Sequence, residues 1–235
     1  MATTINKQRL LNQLYQAVRK SPDSEEQPHP VLDQVIYGLC REDATPEQAD
    51  RAFEDLRERF FDWNEVRVSS VRELEESFEG MSRPEARAQR LVSFLQEVFE
   101  THFSFDLQNL QKKGLKEAAK QLARYEALND FVIAWVTQRS LGGHAIPVDA
   151  MTLRCARRLG LLDDAQDDPE AARASLEHLI PKAKGAQFTD LISTLAGDNC
   201  DDEPACPTCP LAGECPTGQD ARVAPVATKS RPKPR

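Results

Sequence analysis

Apolar side chains recur at three- and four-residue intervals along most of the chain, which is the spacing of an amphipathic α-helix. One face of such a helix collects Leu91, Val92, Leu95, Val98 and Phe99. The stretch 130–141 is apolar almost all round, which is typical of a central, buried helix. No convincing pair of strands is visible. The pattern therefore predicts an all-α protein.

Capping residues and prolines set the expected helix boundaries. Thr45-Pro46-Glu47-Gln48 combines an N-cap, a first-turn proline and a glutamine at the third position. Asp149 and Asp168 each precede a helical stretch, and Gly142-Gly143 ends the buried helix. Together these signals predict helices over 5–20, 31–39, 115–128, 130–141 and 187–196, further helices that begin near 45, 84, 149 and 168, and a polar linker at 21–28.

The 235 residues are enough for one large domain or two small ones, and they carry a net charge of −8. Proteins that bind duplex DNA ordinarily present a positive footprint, which this chain lacks overall, although a local basic patch remains compatible with it. The longest apolar run, 131–136, is far shorter than the roughly 20 residues of a membrane span. Because the N-terminus is polar and resembles no signal peptide, we expect a cytoplasmic protein without membrane contact. Residues 217–235 are basic and proline-rich, which predicts a disordered tail.

Four cysteines near the C-terminus carry the strongest chemical signal. Cys200, Cys206, Cys209 and Cys215 have the spacing C-x5-C-x2-C-x5-C, and the last three each precede a proline. Four thiolates fill every protein-ligand position of a [4Fe–4S] cluster, and prolines keep the loop extended around a compact object. The sequence therefore predicts a [4Fe–4S] cluster held by these cysteines. The other two, Cys40 and Cys155, are expected to be buried packing residues.

Two other interpretations of the four thiols stay open. Zinc accepts four thiolates, but its structural sites usually use two close pairs separated by a long spacer, whereas here one close pair has two outlying partners. Two disulfides would need an oxidising compartment, and no sequence feature indicates one.

The chain resembles endonuclease III and its relatives, the iron–sulfur branch of the helix-hairpin-helix DNA glycosylases. The family's cysteine loop is C-x6-C-x2-C-x5-C, one residue longer in its first gap. The segment 141–149, Leu-Gly-Gly-His-Ala-Ile-Pro-Val-Asp, is similar to the family segment that ends in P-V-D-T-H. The following segment, 153–161, Leu-Arg-Cys-Ala-Arg-Arg-Leu-Gly-Leu, is similar to the family's R-V-x-x-R-L-G-L helix. The resemblance covers about residues 30–216 and is weakest at the start.

This resemblance implies a two-lobed helical DNA glycosylase fold. Residues 35–143 would form a six-helix barrel with a degenerate helix-hairpin-helix, and 1–34 and 144–216 would form a discontinuous iron–sulfur cluster domain. DNA would bind in the groove between the two lobes, with the target base flipped out of the stack.

The same resemblance assigns chemistry to two positions. Asp149 matches the catalytic aspartate, which stabilises positive charge on the sugar and helps to activate the nucleophile; an N-cap role alone explains an aspartate here equally well. Enzymes that also cut the backbone add a lysine, whose amine forms a Schiff base with the sugar. That position holds Phe131, which cannot act as a nucleophile, so we expect the AP lyase reaction to be absent.

Three further departures from the family concern DNA binding. The hairpin glycines correspond to Ala127-Leu128-Asn129, whose side chains obstruct a close approach of phosphate. The early segment, where the family has a glutamine, reads Cys40-Arg41-Glu42-Asp43, and the first cysteine gap, basic in endonuclease III, contains three acids between 201 and 203. Arg154, Arg157 and Arg158 could contact phosphate or form a solvated helix face.

These observations favour a divergent iron–sulfur member of the superfamily that is not an ordinary repair enzyme and has no AP lyase activity. It would bind DNA weakly or lesion-selectively, and a protein partner is compatible with its acidic surface. The alternative is an active monofunctional DNA glycosylase that uses Asp149 and water. A third, smaller possibility is a zinc-stabilised helical scaffold.

Overall fold

A computed structural model describes residues 6–18, 30–163 and 168–223. The described residues form helices and contain no strand, which confirms the predicted all-α class. The α-helices are α1 Lys7–Ala17, α2 Val31–Arg41, α3 Pro46–Arg59, α4 Trp63–Val68, α5 Val71–Glu75, α6 Pro84–His102, α7 Leu115–Leu122, α8 Asp130–Arg139, α9 Ala150–Arg158, α10 Pro169–Leu179, α11 Lys182–Asp198 and α12 Pro216–Val223. Short 3₁₀ segments lie at Glu76–Phe78, Gln108–Lys112 and Cys206–Thr208.

Buried apolar residues form two clusters. The first lies among α2 to α8 and has α8 near its centre, as expected from the apolar character of that helix. Gly38 of α2 lets the two helices approach, since a Cβ there would lie 3.1 Å from the Trp135 ring. The second cluster joins α1 to α9, α10, α11 and the cysteine loop. Domain boundaries at 35 and 143 stay a prediction.

Most predicted helix starts are confirmed by their caps. Thr45 forms a capping box with Gln48, and Asp149 and Asp168 accept hydrogen bonds from first-turn amides. Gly142 adopts a left-handed conformation (φ 64°) just beyond α8 and ends it as expected.

Three predicted boundaries were wrong. The helix predicted over 115–128 ends at Leu122, and turns follow, in which the amides of Glu126 and Ala127 bond to the Glu97 side chain instead of to helical carbonyls. The helix predicted over 187–196 is longer and spans Lys182–Asp198. Residues 217–223 belong to α12, although they were assigned to a disordered tail. The predicted linker at 21–28 and the tail beyond 223 lie outside the described residues.

No helix within these described ranges is long and apolar enough to cross a membrane.

Candidate functional site

The four predicted ligand cysteines line one cavity at the end of α11. Cys200 follows the last turn of α11, Cys206 opens the 3₁₀ segment, and Cys215 immediately precedes α12. Together with Cys209 they border a hollow that encloses about 320 Å³ of space free of protein atoms, part of it open to solvent. All six cysteines of the chain are free thiols, and Cys40 and Cys155 are buried as expected.

Two arginines of α9 hold the first cysteine gap in place. Arg158 donates to the carbonyl oxygens of Cys200 (3.1 Å), Asp202 (3.0 Å) and Asp201. Arg154 donates through Nε to the Cys200 carbonyl (3.0 Å) and forms ion pairs with the carboxylates of Asp201 (3.2 Å) and Asp202 (3.4 Å). Arg154 and Arg158 are therefore committed to the protein's own loop, a role that was not expected from the sequence.

Cys200 differs from the other three cysteines in its surroundings. A hydrogen bond with Cys155 lowers the pKa of the Cys200 thiol to about 6, and Arg158, whose Nη1 lies 3.7 Å from its sulfur, acts in the same direction. Burial raises the pKa of Cys209 and Cys215. Cys155 was expected only to pack, so its contact with a candidate ligand is a feature that the sequence did not indicate.

The four cysteines line one hollow but are not arranged as a ligand set for a single metal ion. Across the described part of the chain, no group of three or more His, Cys, Asp or Glu side chains is arranged to hold one metal ion. Each thiolate of a [4Fe–4S] cluster binds a different iron, so its ligands surround a larger object than a zinc ion. Four thiols around one hollow fit the cluster as a donor set.

Asp149 lies where the two hydrophobic clusters meet and is 8 % exposed. As the N-cap of α9, it accepts a hydrogen bond at Oδ1 from the amide of Thr152 (2.7 Å), and at Oδ2 from the amide of Asp43 (2.9 Å). The Asp43 side chain reciprocates by accepting from the amide of Ala150 (3.0 Å). Asp149 therefore caps α9, and both of its oxygens have backbone donors, while a catalytic role for it stays a prediction.

Asp43 places a second carboxylate beside Asp149. It adopts a left-handed backbone conformation (φ 48°), a region that aspartate tolerates better than most residues. Burial and the negative charge of Asp149 raise the pKa of Asp43, and an ion pair with the exposed Arg83 (3.3 Å) opposes this shift.

Arg87 of α6 fixes the segment that carries these acids. Its guanidinium donates to the carbonyl oxygens of Leu39 (3.2 Å), Cys40 (3.2 Å), Glu42 (2.5 Å) and Asp43 (3.3 Å). These carbonyls lie at and just beyond the C-terminal end of α2. A buried cation at a helix C-terminus satisfies orphan carbonyls and complements the helix dipole. Because these four carbonyls lie more than forty residues earlier, no local sequence pattern indicated this role.

Side chains at the hairpin turn and at the expected nucleophile position make contacts within the protein. Asn129 caps α8 by accepting from the amide of Val132 (3.2 Å), as expected, and donates to the Glu42 carboxylate (2.6 Å). Phe131 is 5 % exposed and packs into the first hydrophobic cluster. The site therefore offers a buried carboxyl group, Asp149, beside a partly buried one, Asp43.

Comparisons with known proteins agree with this fold. No profile of a known protein family matches the chain. The DNA glycosylase/AP lyase ROS1 of Arabidopsis thaliana is 26 % identical over 178 residues, which is 66 % of this chain but 12 % of the plant protein. The chain thus spans only a small part of that relative.

Solved structures give a likeness over nearly the whole chain. A trapped endonuclease III–DNA covalent intermediate has a TM-score of 0.65 at 18 % identity, covering 94 % of this chain and 100 % of that one. A thermostable thymine-DNA glycosylase has a TM-score of 0.62 at 15 % identity, covering 91 % of this chain and 96 % of that one. The fold is that of the helix-hairpin-helix DNA glycosylases. Within that class of fold the chain is similar to endonuclease III, although at low sequence identity.

Proposed function

We propose that this protein is a divergent [4Fe–4S] member of the DNA glycosylase superfamily that has lost AP lyase activity and is not an ordinary repair enzyme. The observation that carries the proposal is Phe131, a buried aromatic ring where a lyase needs an amine.

Most helices in the described part of the chain carry no lysine. None occurs between Lys20 and Lys112, or between Lys120 and Lys182, so α2 to α6 and α8 to α10 contain no amine side chain. Schiff-base formation needs an uncharged amine within reach of the sugar carbon. Since Phe131 belongs to the core, another helix would have to supply that amine. Among the helices that contact α8, α7 carries Lys116 and Lys120 and α11 carries Lys182 and Lys184, and all four of these residues are exposed.

Cys200, Cys206, Cys209 and Cys215 would hold the cluster. A bound cluster would supply folding free energy to a loop that has little core of its own. Arg154 and Arg158 order the first gap, and the 3₁₀ segment and α12 order the remainder. We infer a structural role for the cluster and a reducing, cytoplasmic location for the protein.

DNA is the partner that the fold supports, because endonuclease III has been solved in complex with it. In this chain the expected contact surfaces are acidic: Asp201 and Asp202 are largely exposed in the cysteine gap, and Glu42 lies at the hairpin. Carboxylates there repel phosphate and weaken non-specific binding. We therefore infer weak or lesion-selective DNA binding, and a protein partner is the alternative occupant of the acidic surface.

Three measurements on the anaerobically purified protein test this proposal. Metal analysis should find about four iron atoms and four labile sulfides per chain. One zinc atom per chain would instead indicate a zinc-stabilised scaffold. Borohydride should trap no covalent adduct with an abasic duplex, and an adduct would refute the loss of the lyase. Binding to a stable abasic-site analogue and to matched undamaged duplex, across a salt series, shows whether the groove still selects damage.

A monofunctional glycosylase is the second candidate, favoured by the adjacent carboxyl groups of Asp43 and Asp149. A carboxylic acid with a raised pKa beside a second carboxyl group is a common arrangement for acid–base chemistry. Base release from a lesion panel that disappears in Asp149→Asn, but persists in Asp168→Asn, would establish this activity. Asp168 is a matched control because it also caps a helix, α10. No release by the wild-type protein would exclude the lesions tested.

A further inference from the structure

The turn before α8 presents its backbone donors to a carboxylate of the protein itself. Glu97 of α6 accepts at Oε2 from the amide of Glu126 (2.7 Å) and at Oε1 from the amide of Ala127 (3.3 Å). Successive amides in a turn at the start of a helix form a concave donor set that suits anions. In this chain the anion in that position is Glu97.

A second carboxylate closes the other side of the same turn. Glu42 accepts from Nδ2 of Asn129 (2.6 Å) and pairs with Arg90 (2.5 Å), and Arg90 also donates to the carbonyl of Ala127 through Nε and Nη2 (both 3.2 Å). Arg90, which lies against the turn, is thereby paired with Glu42. The two amide donors of the turn, the Asn129 amide and Arg90 are thus each engaged by an acid or a carbonyl of the chain.

We propose that Glu97 is an autoinhibitory internal anion, which occupies the amide donors of this turn and must be displaced before a nucleic-acid backbone can use them. The proposal rests on the DNA binding inferred above and gives its weakness a cause. A mobile phosphate has to compete with a carboxylate that is tethered to α6, and the tether gives Glu97 a high effective concentration at the turn.

The test compares Glu97→Gln and Glu97→Ala with Glu100→Gln. Glu100 lies on the same helix, is exposed and contacts only the Gln96 side chain among its recorded hydrogen bonds, so its substitution removes the same charge without freeing the turn. The probe is a short undamaged duplex, measured by fluorescence anisotropy over a salt series. Hydrogen exchange of the peptide spanning 123–130 reports the state of the turn.

Both Glu97 variants are expected to bind the duplex about tenfold more tightly than the wild type, and log Kd should depend more steeply on log salt, by about 0.9 for each phosphate gained. Glu100→Gln should leave the slope unchanged. Equal tightening in all three variants would reduce the effect to net charge and overturn the proposal. If amide hydrogen exchange in the turn becomes faster but duplex binding does not tighten, Glu97 only stabilises the turn, and this result also overturns the proposal.

A third result separates this inference from the proposed function. If no variant binds duplex even at low salt, Glu97 inhibits nothing and the inference fails. The cluster and the missing lyase would stand, because they are read from iron content and from borohydride trapping.

Discussion

Arg87 is predicted to stabilise the whole region around Asp149, and Arg87→Met measures by how much. Methionine keeps most of the apolar volume of the side chain but donates no hydrogen bond. The bonds to the carbonyls of Leu39 and Cys40 are buried, so these two oxygens have no ready access to water once their donor is lost. The carbonyls of Glu42 and Asp43 are only partly buried, and water can replace their donor.

The magnitude follows from these contacts. Each buried carbonyl left without a donor costs about 1–1.5 kcal/mol, and the lost cation at the end of α2 adds about 0.5 kcal/mol. Arg87→Met should therefore lower the free energy of unfolding by about 3 kcal/mol. With a urea m-value of about 3 kcal/mol per M for a chain of this size, the midpoint should fall by about 1 M.

Equilibrium urea unfolding, followed by far-UV circular dichroism, tests this estimate. Arg72→Met is the matched control, because Arg72 is exposed on α5 and its loss should cost under about 0.5 kcal/mol. Arg87→Lys should fall between the two, since an ammonium group cannot reach all of the carbonyls that the planar guanidinium does. A midpoint for Arg87→Met equal to that of Arg72→Met would refute the reasoning.

Two further substitutions have defined outcomes. Burial and Asp149 raise the pKa of Asp43, so the folded state holds this proton more tightly and loses stability as the pH rises from the ordinary value of 3.8 through the raised pKa. Asp43→Asn should accordingly be more stable than the wild type at pH 7 but not near pH 3, as measured by urea unfolding; an equal difference at both pH values would contradict this. A Cβ at Gly218 would lie 2.7 Å from the carbonyl oxygen of Ala212, so Gly218→Ala should displace α12 from the cysteine loop and lower the iron content. Gly114→Ala, which meets nothing within 4 Å, should retain its iron, and equal loss in both variants would mean that the contact is irrelevant.

Features encoded by neighbouring residues could be predicted from the sequence. Caps such as Thr45, Asp149 and Asp168 bond within three residues, so their sequence signals coincide with their contacts. The four cysteines lie within sixteen positions, and a short loop can bring them around one cavity without help from distant parts of the chain.

Features that depend on contacts between distant helices could not be predicted in this way. Propensity favours a helix through 123–128, but Glu97 lies about thirty residues away and offers the amides of Glu126 and Ala127 a charged acceptor, which ends the helix early. Arg87 likewise acts on carbonyls from residue 39 to residue 43. The residues next to Glu97 and Arg87 in the sequence do not distinguish these two side chains from the other acids and arginines of α6.

Some of the positions that differ from the glycosylase pattern are far apart in the sequence but in contact in the structure. Glu42 of the acidic early segment bonds to Asn129, which replaces a hairpin glycine, so these two departures meet at one contact of 2.6 Å. Restoring glycine at 129 alone would leave Glu42 without its amide donor, and neutralising Glu42 alone would leave Arg90 without its carboxylate. A single reversion should therefore cost stability without recovering a phosphate site. The acids of the cysteine gap belong to a different group, since Arg154 and Arg158 of α9 bind them. The acid and the amide therefore stabilise each other, and the effect of a change at one of the two positions depends on the residue present at the other.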